Sequence, residues 1–517
     1  LPLGTTLASP GAEGPAAPHR AASGRPRRRA PERTVLAVGL LGGVLFAFVT
    51  PPFQVPDEPA HFRSAYRIGT GEPPVWRGGV RGIEEPASLE EVMRLCLAGA
   101  PAIPLKRLPA GTLRAAARIP LAPARRVFMP LAGLAPYTAA PYLPQAAGAA
   151  LGHQLGLPPL WTLYLARLCN LVASLALTWW AVRLVPICRW AFALLALTPM
   201  AMFLRGSVSA DALTVAGAML LTGAACALAF GAPGEPQPGA AAPRGAAPDG
   251  DRANGATPRG RTADREALAA LLLGSVVVAT AKPGYWMLNA LVLLIPHRRF
   301  GRPWRWAAVV AAALAITALG ALSSLWVARN YFDNFHHAPG VQPYRQAMAV
   351  AARPLRFLGL MGTDYAVHAV RYAVGFVGNF GWLDTPLPAV VLVAFALLLL
   401  ALAATGGDPA LAISPGQRLL LAVVLAAGLA FVSFSQYVSW TPLGAGFIDG
   451  PQGRYFLPLA PVGALLLCRR RWAWPPAGTT VPVQAVLARW RDRALAAAGA
   501  AFTLVALARL WTRYYGW

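Results

Sequence analysis

The chain has 517 residues, of which 56% are hydrophobic and only 13% charged. Soluble domains carry ~25% charged residues, and apolar runs of the ~17–25 residues needed to cross a bilayer recur along most of this length. A water-soluble enzyme, a disordered chain and a disulfide scaffold are therefore excluded. The 46 Lys and Arg against 21 Asp and Glu leave a net charge of +25. Because these cations cluster beside apolar segments, the excess reads as positive-inside topology and not as a nucleic-acid surface.

Residues 1–33 are rich in Pro, Ala, Gly and Arg and read as a disordered, basic, cytoplasmic tail. A transmembrane domain is expected over 34–470, opening with a span at 35–50 that reads as an uncleaved signal anchor. The first outer loop, 51–157, is polar to residue 130; its last part, 131–157, is apolar but broken by Pro136, Pro141 and Pro144, as in an interfacial or re-entrant segment. Spans at 160–182, 190–205 and 211–230 follow, then a low-complexity cytoplasmic linker at 231–266.

Across 267–296 the triplet Lys282-Pro283-Gly284 predicts two short halves in place of one long helix. The second half rises only ~18 Å as an α-helix, less than the hydrocarbon core. The turn at Lys282 should then lie below the membrane surface, where irregular backbone must be covered by protein or line a wet cavity. A span at 307–327, a second large outer loop with interfacial helices at 328–386, and spans at 387–405, 419–435 and 454–468 come next. The remainder, 471–517, is a cytoplasmic segment and a last span at 494–511. The predicted class is an all-α polytopic transmembrane bundle of about eleven spans, N-terminus in the cytoplasm. The five cysteines form no C-x-x-C pair, so neither a disulfide nor a structural zinc is expected.

This topology, built from Arg bias and hydropathy alone, gathers the unusual polar residues at the outer face. Asp57 and Glu58 follow the first span. Either can cap a helix beginning near Pro59, and His61 lies one turn on, on the same face. The same acids at the mouth of a membrane cavity suit a general base or a metal ligand. Arg167 lies about two turns into the second span, with Asn170 on its face. An intramembrane Arg is a functional candidate or a snorkelling anchor. Arg205 and Asp211 flank a short outer hairpin in which Ser209 or Asp211 could simply cap the next helix.

Lys282, one of two lysines in the chain, stands with Tyr285 at the break and can hold phosphate as a point charge. Arg454, beside a Gly turn, can clamp an anion. The adjacent His336 and His337 are weak metal evidence. An acidic base with cationic phosphate binders suits a lipid-phosphate substrate. The carboxylate would deprotonate an acceptor hydroxyl, and the cations would stabilise the leaving phosphate.

The strings PPFQVPDEPAHFRSAY, PYLPQA, ARLCN, SVSADAL, AKPGY, FGWLDTPLP and QGRYFLPLAP come in this order. Together they resemble the bacterial membrane proteins of domain of unknown function 2142, over roughly residues 35–470. That family looks similar to the GT-C glycosyltransferases, which take sugars from polyprenyl-phosphate donors and carry an acidic pair in the first outer loop. The resemblance places that pair at Asp57 and Glu58, with Asp57 the favoured base. Roles for His61, Arg167, Asn170, Arg205, Asp211, Lys282, Tyr285 and Arg454 in holding substrate come from the residues themselves.

The expected activity is sugar transfer from a polyprenyl-phosphate-linked donor in the membrane lipid to a cell-envelope glycan or glycoconjugate acceptor. It would occur at the outer face of a bacterial cytoplasmic membrane. No cofactor is demanded, though a divalent Mg or Mn could bridge the carboxylates and the donor phosphate. The rival readings are a flippase or transporter of lipid-linked saccharides and a non-catalytic assembly protein. A single visible helix break with no matching partner argues mildly against transport.

Overall fold

The computed structural model describes residues 29–78, 80–97, 107–130, 138–231, 258–282, 284–334, 339–407, 411–468 and 481–516. It begins with helix α1 (Ala30–Val49), followed by a small module outside the apolar helices. This module comprises α2 (Glu58–Thr70), β1 (Val75–Arg77), β2 (Val80–Pro86), α3 (Ala87–Cys96), α4 (Thr112–Arg118) and β3 (Arg126–Pro130). The strands form one antiparallel sheet in the order β1-β2-β3, with Ile83 opposite Met129 and Trp76 opposite Arg81. Arg63 of α2 pairs with Glu85 at 2.9 Å and also with Glu90, tying the sheet and α3 to the helix that follows Asp57.

The bundle continues with α5 (Leu143–Gln154), α6 (Pro159–Leu184), α7 (Arg189–Ala196), α8 (Pro199–Arg205), α9 (Ala210–Phe230) and α10 (Pro258–Ala281). A 3₁₀ segment, Tyr285–Leu294, precedes α11 (Pro303–Asn334), α12 (Pro343–Ala352), α13 (Pro354–Val377), α14 (Ala389–Thr405) and α15 (Pro415–Ser439). A second 3₁₀ segment, Gly453–Leu459, runs into α16 (Ala460–Leu467), and α17 (Val481–Tyr514) closes the chain.

Among the described residues, six helices are long and apolar enough to cross a membrane: α1, α6, α9, the Pro303–Trp326 part of α11, α15 and the Val486–Tyr514 part of α17. The protein is a polytopic helical membrane protein. In the apolar window of α9, 89% of residues are buried against 11% in α11, so α9 is central and α11 peripheral. Leu314, Leu319, Leu322 and Leu325 of α11 are exposed, as residues facing lipid would be.

Three further passages are short or broken, each for a local reason. Pro199 stops α7 from continuing and starts α8, since Pro clashes inside a helix but suits its first turn. The chain breaks after Ala281, where Gly284 takes φ +100. The short second half is 3₁₀, not α: at ~2.0 Å per residue it reaches further than an α-helix of the same length. Pro458 lies inside the third, Gly453–Leu459. Gly284 has no substitute, because a Cβ there would lie 1.9 Å from Phe431 Cδ1 in a left-handed backbone. Gly284→Ala is expected to lower the melting temperature of the detergent-solubilised protein clearly, the strained backbone alone contributing ~1–3 kcal/mol. An unchanged melting curve would deny the close approach.

Contacts between elements sort into two ends. At one, Arg189 pairs with Glu32 at 3.0 Å, the Trp190 indole donates to Asp492 and the Cys188 amide donates to the Gly406 carbonyl. At the other, Thr138 donates to the Thr280 carbonyl, the Leu108 amide to the Tyr514 carbonyl, and Arg513 pairs with Asp384. These are called the Arg189 end and the Asp57 end.

Several sequence boundaries shift. The charged stretch 258–266, read as linker, is the first part of α10, tied to its neighbours by Asp264 with Arg299 and Glu266 with Arg183. Charges in those turns hide the helix from a hydropathy reading. Residues 328–334, read as loop, complete α11, and 354–377 form the long helix α13. From 138 onward the Pro-broken stretch forms a 3₁₀ turn and α5, while 131–137, most of the basic tail, His336 and His337 lie outside the described residues.

A candidate active site at the Asp57 end

The turn from Pro51 to Asp57 joins α1 to α2 and holds two non-glycine residues in left-handed backbone, Phe53 at φ 64 and Asp57 at φ 65. Such geometry is unusual, most of all for a bulky Phe, and persists only where surrounding structure enforces it. Here it points two neighbouring acids in different directions.

Glu58 turns inward. Its Oε1 accepts from Arg167 Nε at 2.8 Å and the Val208 amide at 3.0 Å; its Oε2 accepts from Arg167 Nη2 at 2.6 Å and the Phe53 amide at 2.9 Å. Arg167 also donates to the carbonyls of Ala47, Thr50 and Pro51. These carbonyls lie at the C-terminal end of α1, where the helix leaves its acceptors unpaired. Both side chains are 0% exposed. The pair therefore clamps α1, α2, α6 and the turn before α9 together, with no acceptor site left free on the carboxylate.

Asp57 turns outward. Its carbonyl accepts the first helical bond, from the His61 amide, but its side chain caps nothing. The carboxylate is 56% exposed and meets Arg454 Nη2 at 3.2 Å, while Arg454 itself is 3% exposed. Arg454 Nε faces Asp211 Oδ2 at 3.5 Å, and Asp211 Oδ1 accepts from Lys282 Nζ at 3.0 Å. The Tyr455 ring serves both cations, with Lys282 Nζ 3.9 Å from its centroid and the Arg454 guanidinium 5.4 Å away. Tyr285 donates to the Tyr455 carbonyl at 2.7 Å. Segments far apart in sequence thus bring two acids and two cations into one cluster.

His61 lines the same cluster and shares a 2.7 Å hydrogen bond with Tyr142. Burial pushes its imidazole down to about 4, while Asp57 and Asp211 pull it the other way. The folded protein therefore holds a neutral ring that the unfolded chain protonates near its ordinary 6.5. Stability from this group is complete above that value and is lost as pH falls toward 4, up to ~3 kcal/mol. His61→Gln should flatten the decline in melting temperature between pH 6.5 and 4. An unaltered slope would place the acid sensitivity elsewhere.

The remaining candidates divide by role. Asn170 donates to the Ser207 carbonyl at 2.7 Å and accepts from Gln145 at 2.9 Å, holding the turn before α9. Ser209, not Asp211, caps α9, accepting from the Asp211 amide. Arg205 is buried and turned back to the α7–α8 break, donating to the Ala196 carbonyl and to Thr178 at 3.2 Å each; it pairs with no acid among the described residues. Of the three cations that the sequence sets at the outer face, Lys282 and Arg454 join the Asp57 cluster and Arg167 is sealed behind Glu58.

Tyr142 and Tyr455 were not anticipated, although both lie inside strings that were singled out. An ion bridging Asp57 and Glu58 would need a free oxygen on each acid, and Glu58 has none. That donor pair does not fit a bridging divalent metal. Among the described residues no group of three or more His, Cys, Asp or Glu is placed to hold a metal ion.

No curated protein and no solved structure matches the chain. A family described as "Predicted membrane protein (DUF2142)" matches it over residues 40–242 and 256–462, which takes in every residue of the cluster and of the sealed pair. On that match, covering most of its length, the chain belongs to the DUF2142 family of predicted membrane proteins.

Proposed function

We propose that this protein is a membrane glycosyltransferase. It would take a sugar from a polyprenyl-phosphate donor and pass it to a cell-envelope glycan or glycoconjugate. The observation that carries this reading is the Asp57 carboxylate, exposed, unused as a helix cap, and held against Arg454, which Asp211 links to Lys282. A carboxylate next to two anion-binding side chains can take the proton of an acceptor hydroxyl while the cations hold the departing phosphate. His61, buried and bonded to Tyr142, stands behind the carboxylates as a neutral neighbour. Direct displacement of this kind inverts the anomeric carbon.

If α7–α8, α10, Tyr285–Leu294, α14 and Gly453–Leu467 cross as well as the six long helices, eleven passes join the two ends. The positive-inside rule then puts the Arg189 end in the cytoplasm and the cluster at the outer face of a bacterial cytoplasmic membrane.

One observation favours a second reading, a transporter or flippase of lipid-linked saccharides. Discontinuous helices mark many transporters, and among the described residues the chain is interrupted at Pro199 as well as at Gly284, where the sequence suggested one break. Reconstituted vesicles separate the two. With a polyprenyl-phosphate sugar and a glycan acceptor on the same side, the wild type should transfer sugar and Asp57→Asn should not. Movement of the lipid-linked sugar across the bilayer with no transfer would replace the first reading by the second.

A further inference from the structure

We infer that Arg454 is a positioning residue that holds Asp57 in reserve, and that an incoming lipid-linked phosphate releases the carboxylate by taking its place. This rests on the reading of the cluster as a sugar-transfer site and concerns how the base becomes available.

Three observations carry it. The first is the contrast between neighbouring acid–arginine pairs. Glu58 and Arg167 meet through two nitrogens and two oxygens, fully buried, with further bonds on both partners. Asp57 and Arg454 meet through a single nitrogen and a single oxygen at 3.2 Å. One pair is built to persist and the other to exchange.

The second is which partner can move. Arg454 is 3% exposed, enclosed by the Tyr455 ring and by Asp211 3.5 Å from its Nε. The preceding Gly453 packs so tightly on α13 that a Cβ would lie 2.1 Å from the Tyr372 carbonyl oxygen. Asp57 is the solvated partner, 56% exposed on a turn with no cap bond to restrain its side chain.

The third is charge. Asp57, Asp211, Lys282 and Arg454 sum to zero, and His61 is neutral near pH 7. A phosphate entering this balanced cluster meets two carboxylates. It is best accommodated when the movable one leaves Arg454. Asp57 then swings toward the acceptor with its lone pairs uncovered, so the donor must bind before the base is free.

The test is binding, measured apart from activity, in protein-loaded nanodiscs titrated with a polyprenyl monophosphate and, separately, with inorganic phosphate. Removing the competing carboxylate should tighten binding, so Asp57→Asn and Asp57→Ala are each expected to bind the lipid phosphate about three- to tenfold tighter than wild type. Arg454→Lys should bind more weakly and lose the difference made by Asp57→Asn. The same pattern with inorganic phosphate would assign the effect to the headgroup alone; tightening only with the lipid would assign it to the anchored ligand.

Equal or weaker binding by both Asp57 variants would overturn the proposal. If those variants bind tighter yet transfer sugar at the wild-type rate, the displacement stands and the base assignment falls. If they are inactive with unchanged binding, the base assignment stands and the displacement falls.

Discussion

Glu58→Gln is expected to destabilise the protein by ~3–5 kcal/mol, the range for breaking a buried ion pair by removing one partner. The reason is what remains. Arg167 is 0% exposed and keeps its charge, but its carboxylate partner is gone. In either orientation the Gln amide nitrogen takes the place of one carboxylate oxygen, so it faces one Arg167 nitrogen and either the Phe53 or the Val208 amide, donor against donor.

Arg167→Met removes the opposite charge and also uncovers the carbonyls of Ala47, Thr50 and Pro51. Replacing both residues relieves the stranded charge but not those carbonyls, so the double variant should recover only in part. Thermal melting in detergent, followed by the loss of the monodisperse species, measures all three. Wild-type melting by either single variant would show that the pair is not the clamp described.

Asp57→Asn should leave folding intact and reduce sugar transfer by ~10²–10⁴-fold, the usual contribution of a general base. The substitution keeps size and hydrogen-bonding shape, and the side chain is more than half exposed and caps no helix. Its structural worth is a single solvated contact with Arg454, which as an ion pair is worth at most ~1 kcal/mol. Two acids adjacent in sequence are thus predicted to fail in opposite ways, one by unfolding and one by losing chemistry.

Much of this arrangement is legible in the sequence. Apolar run length shows the bundle, because a membrane demands it wherever the chain crosses. The break at Lys282 follows from backbone chemistry, since a Pro-Gly pair cannot continue a helix. The gathering of Asp57, Asp211, Lys282 and Arg454 followed from the alternation of spans, which puts every second connection on one face.

Three features were not legible, each for a physical reason. Glu58 and Asp57 are the same chemistry one residue apart, and only the left-handed backbone at Phe53 and Asp57 decides which of them faces Arg167. Arg167 and Arg454 carry the same charge, and which is sealed depends on the acid each one meets. The third lies on either side of the Lys282 break, where an apolar run shows a short passage but not its 3₁₀ form, and charge masks the helical start of α10. Pattern reports which residues reach an end of the bundle; packing decides which remain open there.

The division of labour between the adjacent acids can be read in one paired experiment. Asp57→Asn and Glu58→Gln are purified side by side, and each is scored for melting temperature and for sugar transfer per folded molecule in the same vesicles. The expected outcome is an Asp57 variant that melts like wild type and transfers sugar at least ~10²-fold more slowly, beside a Glu58 variant that melts far lower. An Asp57→Asn protein that transfers sugar at the wild-type rate would contradict the catalytic assignment outright.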